Sequence, residues 1–145
     1  MSLFVDTGVV VAFENPRDLN HAAAVRILEA AARGVFGQVL TSDYVMDEAV
    51  TLALARTKKP SLAIRIGNLI LGAGPEGPIM DLVYVSPRQF LRAWGLFSRL
   101  AERGLSFTDC TSIELTRSIH LDEIASFDRD FDGLLARRAD AAPAS

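Results

Sequence analysis

Acidic residues stand at four separated places in settings that suit metal chemistry: Asp6, the neighbours Asp47 and Glu48, Asp109, and the nearby Asp128 and Asp130. Carboxylates held a few ångströms apart cannot all stay ionised without compensation. A hard divalent cation supplies that compensation, and carboxylate oxygens with water are the ligands that magnesium or manganese prefers. Such a cation activates water and stabilises charge on a phosphate under in-line attack. Other catalytic chemistries are poorly supplied. The two histidines, His21 near a helix start and His120 at a helix end, read as surface or capping residues. Cys110 is the single cysteine, which leaves neither an internal disulfide framework nor a cysteine-based zinc site.

Elements must bring these acids together. Leu3-Phe4-Val5 reads as a buried strand that ends in a turn at Asp6-Thr7-Gly8. Asn20 caps a helix rich in alanine and leucine that stops at Arg33-Gly34. Gln38 to Thr41 is a second strand, and Ser42 or Asp43 caps a helix running to about Arg56. Pro60-Ser61 opens a helix with Leu62, Ile66, Leu69 and Ile70 at helical spacing, closed by the Gly72–Pro78 loop. Ile79 to Val85 is a third strand, and Ser86-Pro87 starts a helix to Arg103 with Gly104 as its stop. A helix capped at Thr108-Asp109 runs to Ile119, and a strand from Glu123 to Phe127 ends at Asp128.

Strands separated by helices imply right-handed crossovers and a mostly parallel sheet covered on both faces, hence an α/β fold. Sites in such sheets form beyond the carboxyl ends of strands, where Asp6 and Asp128 fall. Structural readings compete with the chemical ones. Asp6 suits a turn, and Asp109 suits a helix start through its charge. Glu48 lies beside Leu52 at one edge of its helix's apolar arc and Asp47 beside Leu54 at the other, so periodicity does not choose between them. It does not choose between Asp128 and Asp130 either.

Four short segments resemble the PIN-domain family, which includes the VapC-type toxins. The opening Phe4-Val5-Asp6-Thr7-Gly8-Val9-Val10-Val11-Ala12 is similar to the family's strand–Asp-Thr/Ser start. Leu40-Thr41-Ser42 with Asp47-Glu48-Ala49-Val50 resembles the second motif, Phe107-Thr108-Asp109-Cys110-Thr111 the third, and Ala125-Ser126-Phe127-Asp128-Arg129-Asp130-Phe131 the fourth. The likeness covers nearly the whole chain, in order. It implies a three-layer α/β/α sandwich and prefers Glu48 to Asp47 and Asp128 to Asp130. Asp6, Glu48, Asp109 and Asp128 are then the catalytic and metal-binding residues. It further implies Mg²⁺ or Mn²⁺, cleavage of RNA, a homodimer, and in VapC-type members a cognate antitoxin. Ser126 stands where the family often has threonine, and the Gly72–Pro78 loop is unusually rich in glycine and proline.

With 145 residues, one domain is expected over residues 1–135, followed by an alanine-rich, frayed tail over 136–145. Half the residues are hydrophobic and 23% charged, as in globular proteins. No stretch is apolar for long enough to span a bilayer, and Asp6 interrupts the run a secretory signal would need; the expected address is the cytoplasm. A net charge of −3 does not announce a nucleic-acid binder, but the distribution of charge matters more. Arg88, Arg92, Arg99 and Arg103 form one stripe on a helix, which suits RNA phosphates, an acidic partner segment, or simply solvent. Phe90, Leu91, Trp94 and Phe97 lie opposite and are expected in the core.

Rival readings are weaker. Asp6-Thr7-Gly8 also occurs in aspartic proteases, which need a β-rich fold and a second such aspartate. A haloacid-dehalogenase-type phosphatase would resemble Asp-x-Asp, and Gly8 occupies the second acidic position. A PIN-like module that binds RNA or protein without cutting is the alternative from another class.

Overall fold

Side chains alternate across each strand, so the two apolar sets of β1 and β2 must be covered from opposite sides. In a computed structural model of the chain, residues 1–141 are described. Among them are five strands, β1 (Ser2–Val5), β2 (Gln38–Ser42), β3 (Asp81–Val83), β4 (Glu123–Ala125) and β5 (Arg137–Arg138). The helices are α1 (Thr7–Glu14), α2 (His21–Ala32), α3 (Asp43–Thr57), α4 (Pro60–Leu71), α5 (Pro87–Leu100) and α6 (Phe107–Ser118). The strand order is β3-β2-β1-β4-β5 with every pairing parallel.

Leu3, Val5 and Val39 join one core with Val9, Ile27, Ala49 and Ile66, contributed by α1 to α4. Phe4, Leu40 and Ile124 join the other core with Ala93, Leu96, Ile113 and Leu115 of α5 and α6. Each large aliphatic or aromatic side chain buried this way contributes roughly 1.5–3 kcal/mol of transfer free energy. The result is the expected three-layer α/β/α sandwich.

Four sequence expectations need correction. Asp6-Thr7-Gly8 is no turn, because α1 begins at Thr7 and buries Val9, Val10 and Ala12 against the core; burial outweighs the weak helix propensity of the valines. α6 is capped by Ser106, with Asp109 three residues further on, rather than by Thr108-Asp109. Most of the aromatic side of α5 stays out of the core: Phe90, Leu91 and Trp94 are 42%, 68% and 55% exposed, and only Phe97 is half-buried and packs against it as expected. Ala93 and Leu96 form the buried side of that helix, while the aromatic rings pack on one another, Phe90 on Phe107 at 5.2 Å and Trp94 on Phe97 at 5.5 Å.

The expected tail also departs from fraying. Arg137 and Arg138 pair with β4, whose edge amides would otherwise lack partners: Ile124 N–H donates to Ala136 O (2.9 Å) and Ser126 N–H to Arg138 O (3.0 Å). Residues 142–145 of that segment lie outside the described residues. Among the described residues no helix is long and apolar enough to cross a membrane.

Candidate active site

From β1 the chain builds outward through β2 to β3 on one side, then returns to lay β4 and β5 on the other. The crevice between β1 and β4 is therefore the switch point at which ligands of parallel sheets bind. Asp6 follows β1 directly and is pinned there, its N–H donating to Ala125 O at 3.0 Å. Its side chain is only 5% exposed. Oδ2 accepts the Ser126 hydroxyl at 2.7 Å, whereas Oδ1 is buried without a partner.

Ser126 links two acids. Its Oγ also accepts the Asp128 N–H at 3.0 Å, which ties the end of β4 to Asp6. Asp128 in turn accepts the Asp130 N–H at 2.9 Å and so opens a short 3₁₀ turn over Arg129–Phe131.

Asp109 is held by a capping box at the start of α6. Ser106 Oγ accepts the Asp109 N–H (3.0 Å), and Asp109 Oδ2 accepts the Ser106 N–H (2.8 Å), which satisfies two otherwise orphaned donors. On the other side, the Thr41 hydroxyl donates to Val5 O at 2.8 Å, and Ser42 Oγ accepts the Val45 N–H at 3.1 Å. These bonds fix the departure of α3 beside β1 and carry Glu48 to the crevice half-buried.

Asp6, Glu48, Asp109 and Asp128 all line one cavity of about 430 Å³. Asp47 and Asp130 do not line it. Asp47 accepts a hydrogen bond from Thr51 at 3.4 Å on the outside of α3. Backbone geometry thus separates the two pairs that periodicity left open.

The acids sense one another. Burial pushes the Asp6 carboxyl up to about 7; the hydrogen bond from Ser126 opposes this, and the charges of Asp109 and Glu48 add to it. Burial likewise pushes Asp109 up to about 6, opposed by the Ser106 bonds and reinforced by Glu48 and Asp128. Among the described residues, no three Asp, Glu, His or Cys side chains close into a ready-made cage. The crevice is an open one, suited to a cation that keeps several waters and takes one or two carboxylates directly. Hard oxygen donors and an unpartnered, buried Asp6 Oδ1 fit such a group.

Neither histidine lines the cavity: His21 Nδ1 sits 2.7 Å from Ala12 O, and His120 takes a left-handed φ of 61° just past α6. No lysine lines it either. Sequence reading missed Ser106, Thr7 and Arg56 among the lining residues. The Ser106-x-x-Asp109 capping pattern was a usable signal for the first. Thr7 carries a buried hydroxyl oxygen without a partner, which no pattern announces.

A parallel sheet in this order, with carboxylates from the connections after β1, β2, β3 and β4 lining one crevice, defines an α/β domain with an acidic switch-point site. The PIN domain model matches residues 3–134, and the chain belongs to that family. It is 26% identical over 132 residues to a VapC ribonuclease of Archaeoglobus fulgidus, covering 90% of this chain and 80% of that one. The fold is similar to that of VapC20 of Mycobacterium tuberculosis, described as a sarcin–ricin-loop-cleaving toxin. The TM-score is 0.76 at 28% identity, over 89% of this chain and 92% of that one. VapBC2 of Rickettsia felis, bound to promoter DNA, shares the fold at 15% identity, with a TM-score of 0.67 over 95% and 98% of the two chains.

Proposed function

We propose that this chain is a divalent-metal-dependent ribonuclease that hydrolyses RNA phosphodiester bonds and serves as the toxin of a type II toxin–antitoxin pair. The observation that carries the reading is the shared cavity of Asp6, Glu48, Asp109 and Asp128, in which Asp6 keeps a buried oxygen unpartnered. Family membership and the two relatives that are a ribonuclease and an RNA-cleaving toxin support RNA as the substrate.

Asp6 and Asp109 hold Mg²⁺ or Mn²⁺, with Glu48 and Asp128 completing the acidic ring. When bound, that cation supplies water activation and neutralisation of charge at the phosphate. Ser126 keeps Asp6 Oδ2 occupied and leaves Oδ1 for the ligand; Ser106 does the same for one oxygen of Asp109. The four acids by themselves repel RNA, so substrate and cation enter the crevice as linked ligands. A homodimer bound to a cognate antitoxin in the cytoplasm is the resting form under this reading. The exposed aromatic side of α5 supports it as a surface that an oligomer or antitoxin segment can cover.

Pure protein incubated with single-stranded RNA tests the activity. Cleavage is expected with Mg²⁺ or Mn²⁺, none in excess chelator, and none from Asp6→Asn. Undiminished cleavage in chelator contradicts the mechanism. Metal-dependent RNA binding without any cutting would identify the non-cutting module instead.

A further inference from the structure

The acidic cavity has a second half that the chemistry above does not use. Besides Asp6, Glu48, Asp109 and Asp128, it is lined by Val11, Leu52, Phe127 and Arg56, with Asp18 and Asn20. Glu48, Leu52 and Arg56 are spaced four residues apart on α3 and so share one face of that helix. About 12 Å of helix axis separates Glu48 from Arg56. Side chains on a helix lean toward its N-terminus, which brings the guanidinium back toward the cavity.

Arg56 is exposed, and among the described residues it makes no hydrogen bond or ion pair. That is informative in a cavity also lined by five carboxylates, Asp18 among them. It stands off from all of them, so it does not neutralise the acidic ring. Arg92, Arg137 and Arg138 by contrast are each committed to a carboxylate. A position in the last turn of α3 gives Arg56 a favourable helix-end charge, but that role requires no cavity.

We infer that Arg56, with the apolar wall of Leu52, Val11 and Phe127, is a substrate-anchoring subsite that grips the RNA phosphate next to the one being cut. Arginine suits the task, since its planar fork binds phosphate oxygens in pairs. The apolar wall gives the attached, unstacked nucleotide a surface to lie on, as single-stranded RNA recognition requires. This assignment rests on the ribonuclease reading. Arg56 is a positioning residue and takes no part in bond breaking.

The test compares wild type, Arg56→Gln, Arg56→Lys and Arg33→Gln on a labelled single-stranded oligouridine. Arg33 is an exposed arginine at the end of α2 and supplies the same change of charge away from the cavity. Cleavage kinetics are measured in Mg²⁺ at several salt concentrations, and RNA binding in each variant by anisotropy with Asp109→Asn added to prevent cutting. Arg56→Gln should raise KM on the order of tenfold, leave kcat within a small factor, and lower the salt slope of binding by about one. Arg56→Lys should recover part of the KM and the full salt slope; Arg33→Gln should change neither. Wild-type cleavage with an unaltered KM and salt slope in Arg56→Gln overturns the subsite and leaves the ribonuclease reading standing. Absence of cleavage with Arg56-dependent binding does the reverse.

Discussion

Two groups of charged residues flank β4, and they are organised in opposite ways. Along the β5 edge every acid has a cation: Asp132 is bonded to Arg137 at 2.8 Å, Glu123 to Arg138 at 2.8 Å, and Asp140 to Arg26 at 2.8 Å. Arg137 and Arg26 hold Asp132 and Asp140 below the usual carboxylate range. At the end of β4 facing the crevice, Asp6 and Asp109 are pushed up to about 7 and about 6, with acids as neighbours and, among the described residues, no paired cation. Charge that serves the fold is neutralised by the chain itself. Charge in the crevice has no such partner among the described residues, and its mutual repulsion costs stability, a pattern that clusters at functional sites.

The contrast predicts its largest effect within the fourth motif. Asp128→Asn should lower kcat/KM by roughly 10²–10³-fold, the equivalent of several kcal/mol of lost charge stabilisation. Asp130→Asn should leave it nearly unchanged, since that side chain does not line the cavity. Steady-state kinetics of the two variants decide the matter, and a crippled Asp130→Asn beside an active Asp128→Asn would reverse the assignment.

Ser126 comes next. It belongs to the crevice yet carries no charge, and it should matter through the acids it holds. Ser126→Ala removes the bonds to Asp6 and Asp128 and should cost roughly 10–100-fold in metal affinity or activity, as for supporting residues in other metal sites. Ser126→Thr keeps the hydroxyl and should retain most of both. An unaffected alanine variant would mean that Asp6 needs no orienting partner.

Stability should respond in the opposite sense to activity. Asp109→Asn relieves repulsion in the metal-free crevice and should stabilise it by on the order of 1 kcal/mol, although loss of a favourable helix-start charge offsets about 0.3–1 kcal/mol of this. Folded Asp6 and Asp109 hold protons more tightly than a free aspartate, whose ordinary value is 3.8. Their contribution to metal-free stability is therefore complete below about pH 4 and is lost as pH rises through about 6 and 7. Thermal melts at both ends of that window should show the decline, and saturating Mg²⁺ should suppress it. A less stable metal-free Asp109→Asn, with no metal effect on wild type, would reduce Asp109 to a helix-start residue.

The smallest effect belongs to the paired edge. Arg26→Ala breaks an exposed, solvent-screened ion pair and should leave stability almost unchanged. A larger loss by chemical denaturation would show that the segment after β5 holds the fold together.

The sheet and most helices were legible because their signals are local. Pro60 and Ser86-Pro87 mark helix starts, glycines mark stops, and short apolar runs mark strands. α1 was hidden because its valines resemble a strand extension, and only burial against α2 to α4 makes them helical. β5 was hidden for another reason: two residues carry no periodicity, and only the open edge of β4 recruits them. Reading α5 by its wheel sent its aromatic side inward, whereas packing on α6 uses the smaller Ala93 and Leu96. For the crevice, strand ends suggested Asp6 and Asp128, and the motif resemblance chose Glu48 over Asp47. Ser126 became visible as a link between acids only when β1 and β4 stood side by side.

The central claim is that the crevice acids are left unneutralised for a divalent cation. Titration of Mn²⁺ into the metal-free protein at pH 6, by calorimetry in buffers of different ionisation enthalpy, tests it most directly. Asp6 and Asp109 are partly protonated there, and only their ionised forms ligate, so binding should release protons into the buffer. The account predicts saturable binding with proton release that shrinks toward pH 8, and no saturable binding by Asp6→Asn. No saturable binding, or binding with no proton release at either pH, would contradict it.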